Sequence, residues 1–330
     1  MQEMMPSPGD PTTPKRVLLL GASGTIGRAT LAALLARGHE VVCLLREGGD
    51  RGLPTGATSE IGDVGDPGAL ARVFGAGRFD AVMSCMASRS GTPQDAWAVD
   101  HGAHMAVLAA AKAAGVGQFV LLSAICVQRP LLGFQHAKLA FEAALQASGM
   151  TYCILRPTAF FKSLSGQIAR VQQGKPYLLF GDGTLTACKP ISDADLGAYL
   201  ADCLSDSSRH NRILPIGGPG PAITPREQGE EIFRLLGRAP KFRSVPVGMM
   251  DAIIAVLGAL GRLSPRLRDK AELARIGRYY ATESMLVLDA SRGQYDADAT
   301  PETGQDRLFE YYAEVINGTA KVERGDHAVF

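Results

Sequence analysis

Two positions four apart in "GFQHAKLAFEAALQASG" (133–149) raise the first chemical question. The stretch reads as a helix bounded by glycines, and its spacing puts Phe134 and Lys138 on one face. An ammonium group there can hold the hydroxyls of a ligand. A phenol beside it would hand a proton to a carbonyl oxygen; phenylalanine cannot. A second group is more explicit. "VLLLGASGTIGRATLAALLARG" runs from an apolar strand through Gly21, Ser23, Gly24, Thr25, Ile26 and Gly27 into a helix. Glycines permit the tight turn and the close approach of backbone to a pyrophosphate, whose charge the helix N-terminus favours. In this strand–turn–helix context, G-x-x-G-x-x-G predicts a dinucleotide site.

Residues at other strand ends refine that site. An acidic residue after the second strand would bind a ribose 2′-hydroxyl, but "EVVCLLRE" places Arg46 there, beside Glu47. Arginine suits a 2′-phosphate by charge and by its fork of donors, so NADPH is the expected cofactor. Asp63 in "IGDVGD" either meets the adenine or closes a turn. Ser84 in "SCMAS" and Ser123 in "LLSAICV" end the fourth and fifth strands and point toward the nicotinamide end. His101 and His104 lack a third ligand and read as helix-surface residues; no metal site is expected.

The elements that must position these groups alternate from Val17 onward. Strands are predicted at Val17–Leu20, Glu40–Leu45, Thr58–Ile61, Phe79–Ser84, Gln118–Ser123 and Thr151–Leu155, with helices at Ile26–Arg37, Ala69–Phe74, Gln94–Ala114 and Gly133–Ala147. That rhythm implies an α/β, Rossmann-type doubly wound parallel sheet. We expect a disordered tail over 1–14, a nucleotide-binding domain over 15–160, and a smaller C-terminal substrate lobe over 161–330 packed on the sheet edge. In the second half, helical stretches are expected near 193–204, 225–237 and 305–317.

Composition narrows the classes. The chain has 330 residues, 46% of them hydrophobic and 20% charged, and a net charge of +1 gives no reason to expect nucleic acid. Six cysteines without a C-x-x-C pair argue against iron–sulfur or structural zinc and fit a reducing, cytoplasmic setting. "MQEMMPSPGDPTTPKR" lacks the apolar stretch of a secretory signal. "VPVGMMDAIIAVLGALGRL" (245–263) is apolar but broken by glycines and Asp251. A buried or lid helix is the favoured reading over a spanning one, and peripheral contact with a membrane interface is the other.

Past Arg156, "RPTAFFKS" should line the nicotinamide pocket, with Pro157 and Thr158 along the ring and Phe160 and Phe161 as flat apolar surface or ordinary core. By these residues the first 160 positions resemble the atypical short-chain dehydrogenase/reductases, in which a Tyr usually stands four before the Lys. The motifs "QRPLLGFQHAKL", "RPTAFFKSLSGQ" and "FGDGTLTACKPIS", and more weakly "GRYYATESMLVLD", resemble the NADPH-dependent 3,8-divinyl chlorophyllide 8-vinyl reductases. The resemblance implies reduction of a vinyl group on a Mg-chlorin in (bacterio)chlorophyll synthesis. It gives Lys138 the nicotinamide ribose, Phe134, Phe160 and Phe161 the macrocycle, and Lys162 a propionate carboxylate. Hydride addition to a vinyl group builds charge on carbon that a conjugated ring can absorb, so no phenol is needed. The rival readings are an NADP(H)-binding redox sensor without turnover and a structural subunit of a membrane complex.

Overall fold

The computed structural model describes residues 13–49, 53–262 and 264–320; all but the last two residues of the expected N-terminal tail lie outside them, as does Leu263. The chain follows β1 (Arg16–Leu20), α1 (Thr25–Ala36), β2 (Glu40–Leu45), β3 (Ala57–Ile61), α2 (Pro67–Gly75), β4 (Ala81–Ser84), α3 (Pro93–Ala96), a π-helical turn (Trp97–Ala103), α4 (His104–Ala113), β5 (Gln118–Leu122), α5 (Gly133–Gln146) and β6 (Thr151–Pro157). It continues through α6 (Phe161–Leu164), α7 (Ile168–Gln172), β7 (Tyr177–Phe180), α8 (Asp193–Asp202), β8 (Arg212–Ile216), α9 (Pro225–Leu235), β9 (Phe242–Val245), α10 (Val247–Leu260), α11 (Pro265–Thr282), β10 (Val287–Asp289), β11 (Gln294–Asp296) and α12 (Leu308–Asn317).

Seven parallel strands form one sheet in the order β3-β2-β1-β4-β5-β6-β8. The order reverses between β1 and β4, which is where a doubly wound sheet opens a crevice beyond its strand ends. Val17, Leu18, Leu19 and Leu20 of β1 are fully buried, because helices cover both faces of a parallel sheet. Alternation sends Val17 and Leu19 to one side with Leu31, Leu34 and Leu200, and Leu18 and Leu20 to the other with Val107, Phe119 and Phe141.

The structure departs from the sequence reading in several elements, three of which bear on the site and its surroundings. The strand β8 was not anticipated; it adds beside β6, while α8 packs on α1. Residues 193–216 therefore lie with the main sheet, past the 160/161 division drawn from sequence. The single helix expected over 94–114 is interrupted by the π-helical turn. Finally, the apolar segment forms α10, in which no residue is buried, so of the buried or lid helix expected the buried form is set aside. The α10 helix rests chiefly on α11, which itself buries Ala271, Ile276 and Tyr279. Among the described residues no helix is long and apolar enough to cross a membrane.

Candidate functional site

The turn after β1 is built for a close ligand. Gly21 has φ +76°, and a Cβ there would lie 2.7 Å from the backbone of Cys85. A Cβ on Gly27 would lie 2.0 Å from the Gly21 carbonyl oxygen, so the helix can start this close to the strand only with glycine. Among the described residues no side chain caps α1 at Gly24, which leaves its first amides available to a ligand, with Thr25 and Ile26 just inside. Ser23 is exposed at the turn. The Lys162 Nζ donates to Thr25 Oγ1 at 2.7 Å, bringing a cation to the same helix end. Backbone room, free amides and an ammonium group together fit the pyrophosphate of a dinucleotide.

Arg46 is exposed immediately beyond β2, beside exposed Glu47. Asp63 is exposed and accepts from the Gly65 amide at 2.7 Å, which makes it a turn-closing residue.

Ser84 and Ser123 end their strands as expected, but both hydroxyls are buried and engaged inward. The His104 Nδ1 lies 2.9 Å from the Val99 carbonyl, which only accepts, so Nδ1 carries the proton. Ser84 Oγ therefore donates to Nε2 at 2.8 Å. Burial holds this imidazole neutral and lowers its pKa to about 4. This corrects the surface placement expected for His104, whose ring packs 4.8 Å from that of Phe141; His101 instead stacks edge-on to Trp97. Ser123 Oγ donates to Glu142, a buried carboxylate paired with Arg156.

Lys138 meets a partner that the sequence reading passed over. Its Nζ lies 2.9 Å from Oδ1 of Asp100, a buried residue on the π-helical turn. Ser88 donates its amide to the same oxygen at 3.3 Å. Burial alone would raise the Asp100 carboxyl, but the Lys138 charge and the Ser88 amide pull it below the usual carboxylate range. Among the described residues Asp100 Oδ2 has no hydrogen-bond partner. A cavity of about 10 Å3 adjoins it, bounded also by His104, Ser123, Lys138 and Phe141. That is near the lower limit for one water molecule. The available sequence signal was the single acid in the run "WAVDHGAHMAV".

The aromatic residues divide. Phe134 is 8% exposed and packs with Ile125, Cys126, Ile276 and Tyr279, and Phe161 is buried against Tyr311. Both are core residues: Phe134 is not the open wall expected of it, and for Phe161 the core alternative holds. Phe160 stays partly exposed at the end of the β6 loop. Pro157 is buried at the end of β6; Thr158 is buried too, donating its hydroxyl to the Lys189 carbonyl. Tyr279 lies in the Phe134 cluster, yet its hydroxyl is committed to the carbonyls of Cys126 and Arg129 at 2.8 and 3.1 Å. It does not replace the missing phenol.

The loop before α5 is pinned from both sides. Gln135 accepts from the Leu131 and Leu132 amides and donates to the Cys126 carbonyl. Gln128 donates to the Leu286 carbonyl and accepts from the Leu288 amide, tying the loop to the C-terminal segment.

Residues 21–207, more than half the chain, match the NAD(P)H-binding family. The divinyl chlorophyllide a 8-vinyl-reductase of Zea mays chloroplasts is 49% identical over 97% of this chain and 84% of its own. The chain belongs to the divinyl chlorophyllide a 8-vinyl-reductase family. A vinyl reductase of this family is an oxidoreductase on an NAD(P)H-binding fold, consistent with the cradle at Gly21–Gly27. Two solved structures share the fold. AtPrR2 with NADP+ and (+)pinoresinol has a TM-score of 0.69 at 18% identity, over 91% of this chain and 98% of its own. The Escherichia coli NADPH-dependent quinone oxidoreductase QOR2 with NADPH scores 0.66 at 20% identity, over 91% and 100%.

Proposed function

We propose that this vinyl reductase converts the 8-vinyl group of 3,8-divinyl (proto)chlorophyllide a to ethyl, with NADPH as reductant, giving the monovinyl pigment for (bacterio)chlorophyll synthesis. The observation that carries the reading is the buried Lys138–Asp100 pair on a helix that offers phenylalanine where carbonyl reduction would need a phenol.

When bound, NADPH supplies the hydride. The chain's own residues hold and orient it: the α1 amides and Lys162 at the pyrophosphate, Arg46 at the 2′-phosphate, and Lys138 at the nicotinamide ribose. For Lys162 the bond to Thr25 supports a role at the phosphate end in place of the propionate that the resemblance implies. Asp100 steers the Lys138 ammonium, while Ser84, Ser123 and Thr158 fix the strand ends through their inward bonds. Phe160, still partly exposed, offers apolar surface to the Mg-chlorin. Holding donor and vinyl carbon in a reactive geometry can lower the barrier by about 7–11 kcal/mol. Charge left on carbon spreads into the macrocycle, so no oxyanion calls for a phenolic proton, and a proton taken up from water completes the ethyl group. Six free thiols fit work in a reducing cytoplasm, with peripheral membrane contact through 245–263.

The test mixes purified protein, NADPH and divinyl chlorophyllide and follows the blue shift of the pigment band together with formation of the ethyl product. Phe134→Tyr should give no gain in rate. Inertness toward the pigment, with NADPH consumed on simple ketones, would overturn the reading.

A further inference from the structure

The α10 helix presents an anomaly. Met249, Ile253, Val256 and Leu260 are 49, 44, 58 and 44% exposed. At 100° per residue these four side chains fall within about 60° of one another, forming a single continuous stripe. The side of α10 that meets α11 lies elsewhere: Asp251 pairs with Arg278, and Gly258 faces Arg275. Contiguous apolar surface of this kind marks a contact with something.

The charge beside the stripe indicates what that is. Arg262, Arg266, Arg268 and Lys270 are all exposed at the turn and at the start of α11, against one acid, Asp269. The Arg268 backbone lies against Gly261, which places the cationic stretch at the end of the stripe. A second copy of the chain would cover the stripe but bring the same excess of cations and no surplus of acid to meet them. An anionic lipid surface offers acyl boundary to the stripe and phosphate to the cations. A helix of 14 residues is about 21 Å long, too short to span a bilayer and suited to lying in its plane.

We propose that α10 lies in the headgroup layer of an anionic bilayer, with Met249, Ile253, Val256 and Leu260 in the acyl boundary and Arg262, Arg266, Arg268 and Lys270 on lipid phosphates. The proposal deepens the membrane-contact part of the reading above and rests on none of its chemistry.

The full chain is sedimented with phosphatidylcholine vesicles, with and without phosphatidylglycerol, at low and high salt. Binding is expected only with phosphatidylglycerol and should weaken with salt. It should fall at least about tenfold in Ile253→Asp/Val256→Asp and also in Arg266→Gln/Arg268→Gln/Lys270→Gln, each checked for an unchanged melting temperature and NADPH binding. Absence of vesicle binding by the unmodified chain would overturn the proposal, as would equal binding by either variant. So would a concentration-dependent dimer that Val256→Asp dissolves in place of vesicle binding. No pigment or turnover enters the assay, so its failure leaves the reductase reading standing, and failure of pigment reduction leaves this one.

Discussion

The Lys138 ammonium and the Asp100 carboxylate meet at 2.9 Å across 38 residues of chain, the acid on a π-helical turn and the base on α5. Turns of this type widen a helix by one residue and recur at functional sites. Here the widened turn carries the acid that faces Lys138. Asp100 touches neither a reacting atom nor the pigment in the proposed reaction; it acts through the lysine.

Lys138→Ala should therefore abolish pigment reduction, and Asp100→Asn should lower kcat about a hundredfold while leaving the KM for the pigment nearly unchanged. Lys138→Ala leaves the buried Asp100 carboxylate without its partner, with a stability loss of about 3–5 kcal/mol. The double variant Asp100→Asn/Lys138→Met should recover most of that stability in urea unfolding and none of the turnover. Recovery of turnover would show that the pair is structural only.

Arg46 is expected to set cofactor preference. Loss of a charge-assisted contact costs about 1.5–3 kcal/mol, so Arg46→Ala should weaken NADPH binding about 10- to 150-fold. NADH binding should not change. Equal use of NADPH and NADH by the unmodified chain would remove the 2′-phosphate role.

Lys162 separates two assignments. At the phosphate end, Lys162→Ala raises the KM for NADPH about tenfold and leaves the KM for the pigment alone. A lysine on a propionate would give the reverse, and steady-state kinetics with each substrate varied in turn distinguishes them.

His104 makes stability depend on pH. Its folded-state pKa, about 4, lies below the ordinary 6.5, so the unfolded chain binds more protons between those values and stability falls as pH drops through that window. Between pH 7 and pH 5 the loss from this residue is about 2 kcal/mol, readable as a shift in urea midpoint. In His104→Asn that part of the slope should vanish. An unchanged slope would mean that the imidazole is not held neutral.

The β1–α1 cradle was legible because glycine spacing, an apolar strand and a helix all lie within one short stretch, where local sequence decides local structure. The strand β8 was not, since "RILPI" carries a proline and pairs with β6 from some 60 positions away, and only the sheet edge gives it a place. Asp100 was missed for a related reason: its meaning depends on Lys138, which is adjacent only after folding. Phe134 looked like ligand surface, and Phe161 could not be assigned between surface and core, because an aromatic residue near a motif reads alike whether it faces a pocket or a core. Lys162 was assigned from the charge of a substrate group, and its bond to Thr25 is a contact over 137 positions that spacing cannot reveal.

The grip of Gln128 on Leu286 and Leu288 has a consequence for how the molecule comes to be. During synthesis the nucleotide cradle needs only early residues, yet the stretch leading into the Lys138 helix waits for partners made more than 150 positions later. Competence to hold dinucleotide should thus precede competence to place it, and a nascent chain halted short of Leu286 would grasp the coenzyme with its reactive end still unsteadied.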